Sequence, residues 1–100
     1  MKQIAVPKIS EILKSEFMDP LGISAYRLAK EIGVPVSRIQ DLLHDRRDVT
    51  IDTSIRLGRL FGVSDRYFLN LQNDINFRNA ESKNSEEYNQ IKEYQSIKQW

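Results

Sequence analysis

The densest set of side chains able to do recognition chemistry lies in residues 36–47, Val36-Ser-Arg-Ile-Gln-Asp-Leu-Leu-His-Asp-Arg-Arg47. Arg38, Arg46 and Arg47 offer guanidinium forks, Gln40 an amide, Ser37 a hydroxyl and Asp41 an acceptor, a mixture suited to hydrogen bonding and ion pairing. Asp41, His44 and Asp45 form the one cluster that suggests acid–base chemistry, yet a charged helix end produces such a cluster often. No nucleophile–base pair, paired carboxylates at a pocket or glycine-rich phosphate loop can be read, so the sequence predicts no enzyme. With no Cys and a single His, thiolate-ligated zinc, iron–sulfur clusters and multi-histidine metal sites are excluded, and no metal or cofactor is implied.

The elements that position these residues must fit a small chain. One hundred residues with 15 Lys plus Arg, 14 Asp plus Glu and 40% hydrophobic content predict one compact domain near neutrality, not two. No run of about 18 apolar residues could span a membrane. Met1 to Val6 lacks the apolar stretch and cleavage site of a signal peptide, and a reducing cytoplasm fits the missing cysteines.

Periodicity predicts five short helices between Pro7 and about Phe77. Ile9, Ile12, Leu13 and Phe17 recur at helical steps, and Asp19-Pro20 is expected to stop that helix. Ser24 caps the second, which carries Tyr26, Leu28, Ala29 and Ile32; Gly33 ends it and Pro35 suits the first turn of the third. Ile39, Leu42 and Leu43 share one face of the third helix, Val36 to His44, and Asp45 to Asp48 form a charged loop. Thr50 caps the fourth, whose inward stripe is expected to be Ile51, Ile55, Gly58 and Phe61, with Arg56 and Arg59 outside and Gly62 at its end. Ser64 is expected to cap the fifth, with Asp65 in its first turn and Phe68, Leu71 and Ile75 as its stripe.

Composition shifts after Arg78, which divides the chain into a residue 1–78 domain and a residue 79–100 extension. In the extension Tyr88, Ile91, Tyr94, Ile97 and Trp100 recur every three positions and would spread over about 240° of an α-helix. That pattern fits a helix touching two surfaces, a helix ordered only with a partner, or a frayed solvated tail.

The second and third helices, joined by Ile32-Gly-Val-Pro35 and locked by Leu28, Ala29, Ile32, Ile39 and Leu42, have the spacing of a helix-turn-helix. Small Ala29 permits close approach and Gly33 the sharp turn, so the third helix would project its exposed residues into a DNA major groove. A plain αα-hairpin in a bundle has the same spacing.

The chain carries, in order, Ser24-Ala-Tyr-Arg-Leu-Ala-Lys30, Gly33-Val-Pro35, Ser37-Arg-Ile39, Thr50-Ile-Asp-Thr-Ser-Ile-Arg-Leu57, Phe61-Gly62 and Leu69-Asn-Leu-Gln72. Together these stretches resemble the HigA family of antitoxins, the VapI-like addiction-module antidotes within the Cro and phage-repressor-like helix-turn-helix group. Glu11-Ile-Leu13, Glu16-Phe17 and Asp19-Pro-Leu-Gly22 extend the resemblance over about Lys8 to Ala80. It implies an all-α, five-helix DNA-binding domain, usually dimeric, that neutralises a HigB-type RNA-cleaving toxin and represses its own operon. The chain departs from the family at Lys8-Ile9-Ser10, where His-Pro-Gly is usual, at Asp45 in place of glycine, and at Ile51 and Gly58 in place of alanine.

On that motif Val36, Ser37 and Asp41 line the groove-facing side, with Arg38 and Gln40 flanking. Val36 can touch a thymine methyl, Ser37 can donate or accept, and Asp41 can accept from a cytosine amino group. Arg38 can contact guanine or phosphate, or pair within the chain to Asp41 or Asp45; Arg46 and Arg47 face the sugar–phosphate backbone. Arg27, Tyr26 and Ser24 could reach phosphate from the start of the second helix, and His44 suits a helix C-terminus.

Residues 24–62 carry seven Arg plus Lys against five acids, and residues 63–100 five against six. So slight an excess gives weak non-specific affinity, and tight binding would need a homodimer on half-sites roughly 34 Å apart. Tyr67, Phe68 and Leu71 of the fifth helix and the aromatic tail are candidate dimer surfaces, and Tyr88, Ile91, Tyr94 and Trp100 candidate toxin anchors. Three functions stay open: an antitoxin that binds toxin and operator DNA, a stand-alone phage-type repressor, and an adaptor that has lost DNA binding.

Overall fold

Glu11 bonds the Lys8 amide across one turn (3.3 Å), and helical backbone begins at Ile9 in the computed structural model, which describes residues 6–94. The first helix, α1, is built of three contiguous parts: Ile9–Ile12, a wider π-helical turn at Leu13–Met18, and Asp19–Leu21. The extra residue in that turn resets the inward face, so Ile9, Leu13 and Met18, spaced four and then five apart, are all buried. The helix therefore passes through Asp19-Pro20, contrary to the expected stop, and ends at Gly22. The Asp19 amide reaches back five residues to Lys14, and Pro20, one position on, has no amide to leave unpaired.

α2 (Ala25–Ile32) and α3 (Val36–Leu43) follow. The Ser24 hydroxyl caps α2 by accepting from the Arg27 amide at 3.1 Å. Gly33, with φ +74°, turns the chain while the Val34 amide bonds the Ala29 carbonyl at 3.0 Å. Pro35 stands as the residue before α3 rather than within its first turn. Leu28, Ala29 and Ile32 meet Ile39 and Leu42, all buried.

In α4 (Ile51–Phe61), capped by Thr50 as expected, the inward stripe differs from the apolar reading. Gly58 is buried and Phe61 packs against the core as expected, but Thr53, Ser54 and Leu57 are buried with them, whereas Ile51 is 65% exposed and Ile55 lies at the surface. The cause is tertiary. The Ser54 hydroxyl donates to the Asp65 carbonyl at 2.7 Å and accepts from the Leu69 amide at 2.9 Å, so this polar side chain is satisfied inside. Gly58 lets the Ser64 backbone pass at a distance that would put an added Cβ only 2.5 Å from the Ser64 carbonyl. Exposed Ile51 fills no space that Gly58 leaves, so the two departures from the family's alanines are not a steric exchange.

α5 (Tyr67–Asn89) is preceded by a turn over Asp65 and Arg66, closed by the Tyr67 amide on the Ser64 carbonyl at 3.0 Å, with Arg66, not Ser64, at the capping position. Ser64 starts the turn instead, its hydroxyl accepting from the Arg66 amide at 3.1 Å. The helix runs through Arg78, bending at Asn84. Phe68 is fully buried and packs with Phe17, Phe61 and Tyr67, ring centroids 4.9 to 6.1 Å apart. It closes the core and offers no dimer surface, and Leu71 is half-buried. Further along, Phe77, Tyr88, Ile91 and Tyr94 are exposed. The readings made on residues 1–5, Ile97 and Trp100 lie outside the described residues. Among the described residues every regular element is helical, and no helix is long and apolar enough to cross a membrane.

Candidate nucleic-acid interface

Burial of Ile39 and Leu42 fixes which side of α3 faces out. Ser37 and Gln40 are exposed, Asp41 and Arg38 are half-buried, and Val36 leans on the core. At the end of α3 the His44 ring Nδ1 bonds the Gln40 carbonyl at 2.8 Å, the helix-end role expected for it. Asp45 then takes a left-handed conformation, φ +62°, in the place where the family usually has glycine. With it the Arg46 amide folds back to the Asp41 carbonyl at 2.8 Å.

The exposed loop that follows, Asp45 to Asp48, is held from behind by α5. Buried Gln72 accepts from the Val49 amide at 3.0 Å and donates to Asn76, which in turn donates to Asp48 at 3.2 Å. Arg46 and Arg47 are thereby presented beside the last turn of α3. Gln72 stands in one of the stretches that carry the resemblance, but its part in holding the loop is not legible there, because an amide one position past an apolar stripe carries no local signal.

Each arginine predicted to meet DNA has a carboxylate partner. Arg27 pairs with Glu31 one turn on. Arg46 and Arg47 both pair with Asp41, at 3.1 and 3.7 Å. Arg38 takes neither Asp41 nor Asp45; its Nη1 donates at 2.7 Å to Asp52 on α4. The same Asp52 oxygen accepts from Arg56 at 2.9 Å, and Arg56 also donates to the Ile32 carbonyl at 2.7 Å. These bonds from Arg38, then Arg56, hold the Asp52 carboxyl below its ordinary range. The network ties α2, α3 and α4 together. Only its i,i+4 part, Asp52 with Arg56, was visible as a spacing.

The site is thus a polar helix face flanked by cations that carboxylates hold in place, with hydrogen-bond donors and acceptors at its centre. It is built for recognition through hydrogen bonds and charge.

Comparison with known proteins agrees. The helix-turn-helix family matches residues 13–68. Virulence-associated protein I of Dichelobacter nodosus is 41% identical over 71 residues, 71% of this chain and 66% of that protein's own length. Among solved structures, the Pseudomonas aeruginosa antitoxin HigA with the higBA promoter superposes with a TM-score of 0.81 at 29% identity, covering 88% of this chain and 97% of that one. The antitoxin GraA in complex with its operator gives 0.82 at 27% identity, covering 94% and 96%.

Proposed function

Since the chain belongs to the helix-turn-helix family, in the group of HigA and VapI-like antitoxins, we propose that it represses its own operon and neutralises a HigB-type RNA-cleaving toxin. The observation that carries the DNA half is the outward face of α3, Ser37, Gln40 and Asp41, continuous with Arg46 and Arg47 on a loop fixed by Gln72. That face has the size and polarity to enter a major groove while the arginines meet phosphate. Val36 lies at the groove-side start of α3, Arg38 flanks it, and Arg27 reaches phosphate from α2. Two similar antitoxins were solved on promoter or operator DNA, which supports the reading.

The protein binds as a homodimer, because one near-neutral domain gains too little from phosphate contact alone. Residues 1–78 form the DNA-binding unit. The extension from residue 79 meets the toxin, and exposed Tyr88, Ile91 and Tyr94 are its anchors. The role is one of binding without catalysis, in the cytoplasm where the operator lies.

A gel shift on DNA just upstream of its own gene, with Arg38→Ala and Arg46→Ala/Arg47→Ala controls, tests repression. A specific shift that the variants weaken supports it, and a shift no stronger than on unrelated DNA defeats it. Co-expression with the neighbouring gene's product tests the other half: rescue of growth identifies an antitoxin, and a specific shift without rescue a stand-alone repressor.

A further inference from the structure

Asp41 is held to two arginines by more than chance contact. The left-handed Asp45 folds the chain so that the Arg46 amide bonds the Asp41 carbonyl at 2.8 Å, and the Arg46 side chain then bonds the Asp41 carboxylate at 3.1 Å. Arg47 approaches the other carboxylate oxygen at 3.7 Å. The trio therefore shows DNA one net positive charge instead of two, with guanidinium donors turned to Asp41.

The same carboxylate stands on the outward face of α3, where a major-groove cytosine presents an amino donor and the phosphates present only like charge. Opposite such a donor, an Asp41 oxygen gains a partner and an arginine can leave it for phosphate. Opposite a base edge that presents no amino donor there, guanine or thymine, the arginines remain its best partners. Resting on the operator-binding reading above, we propose that Asp41 is a specificity-determining residue: it holds Arg46 and Arg47 off the backbone of non-cognate DNA and releases them where the base supplies an amino group. In a chain with so little excess positive charge, two arginines withheld from phosphate are a large part of non-specific affinity.

The test is fluorescence anisotropy of the full chain across a salt series, on the duplex upstream of its gene and on a scrambled duplex of equal composition. Asp41→Asn should tighten binding to the scrambled duplex about tenfold at low salt and steepen the slope of log K on log salt by up to about 1.8, two added phosphates. The preference for the upstream duplex should fall accordingly. Asp48→Asn removes an equal charge from the adjoining loop, keeps an amide oxygen to accept from Asn76, and should leave the slope unchanged. Adding Arg46→Ala/Arg47→Ala to Asp41→Asn should abolish the gain. An unchanged scrambled-duplex slope in Asp41→Asn, an equal effect of Asp48→Asn, or a gain that survives loss of both arginines each overturns the proposal. Equal binding of the unaltered protein to both duplexes would instead defeat the operator reading, while the scrambled-duplex comparison would still decide whether Asp41 withholds the arginines.

Discussion

Arg38 on α3 and Asp52 on α4, fourteen residues apart, meet through a 2.7 Å bond that Arg56 shares from the other side. Because Arg56 continues to the Ile32 carbonyl, the recognition pair α2–α3 is held to α4 by a chain of charge-assisted bonds as well as by buried Leu28, Ile39 and Leu57. The relation gives Arg38 a structural task in the free protein alongside its proposed place on DNA.

Asp52 is the acid-labile part of that tie. Bonds from Arg38 and Arg56 depress its folded-state pKa below the ordinary 3.8, and Arg59 does the same for Asp65. A carboxyl whose folded pKa is depressed contributes stability above its unfolded pKa and loses it as pH falls through the folded one. The urea midpoint should therefore drop below about pH 4, modestly because both carboxylates are well exposed. Asp52→Asn/Asp65→Asn should lower the midpoint at pH 7 and flatten the acid limb. An acid limb as steep as that of the unaltered protein would show that other groups govern it.

Gln72 gives a second prediction. It is 4% exposed and is the acceptor for the Val49 amide, itself in a buried residue. Gln72→Leu keeps the volume but orphans that amide, at a cost of about 1–3 kcal/mol. The loop bearing Arg46 and Arg47 loses its rear anchor at the same time. Hydrogen exchange at the Val49 amide should accelerate and the urea midpoint fall; unchanged Val49 protection would mean the loop is held by other contacts.

Local chemistry was legible in the sequence, and distant chemistry was not. The caps Ser24 and Thr50, the turn glycines Gly33 and Gly62, and the inward Ile39 and Leu42 each follow from residues within one or two turns. The α4 stripe is half legible: Gly58 and Phe61 turn inward as expected, but Ser54 goes inside to bond Asp65 and Leu69, eleven and fifteen residues on, and Ile51 and Ile55 face outward. Pro20 reads as a stop because a π-helical turn leaves no apolar period to betray it. At the candidate site the residue types are legible but their partners within the chain are not: the sequence offers Asp41 as an acceptor for a base, and its hold on two arginines depends on the left-handed turn at Asp45.

Arg38 bears on how the face reads DNA. A side chain bonded back to α4 lies along the flank of α3, where the proposed docking would bring phosphates, rather than at the centre of the proposed groove face. Arg38→Ala should weaken the upstream and scrambled duplexes alike and reduce the salt slope by about 0.9, one phosphate contact. Arg38→Lys should restore most of the slope. A loss confined to the upstream duplex, with the slope intact, would instead place Arg38 on a base edge.

Gly58→Ala sets two effects of opposite sign against each other. Alanine favours a helix interior by about 1 kcal/mol over glycine. At Gly58, however, the new Cβ would lie 2.5 Å from the Ser64 carbonyl oxygen and 3.1 to 3.2 Å from neighbouring backbone atoms, none of which can rotate aside. The turn can retreat only by stretching the bonds that Ser54 makes to the Asp65 carbonyl and the Leu69 amide, together with the Val63 to Gly58 backbone bond at 2.9 Å. Overpacking of this kind costs about 1–3 kcal/mol, and each strained bond adds to it, so the clash outweighs the propensity gain. Gly58→Ala should lower the free energy of unfolding by a net of roughly 1–2 kcal/mol, read as a lower urea midpoint. Combined with Ser54→Ala it should cost less than the two changes summed, since both loosen the same turn. A raised midpoint, or strict additivity with Ser54→Ala, would mean that the Ser64 turn moves freely and that the close approach is not what keeps glycine at this position.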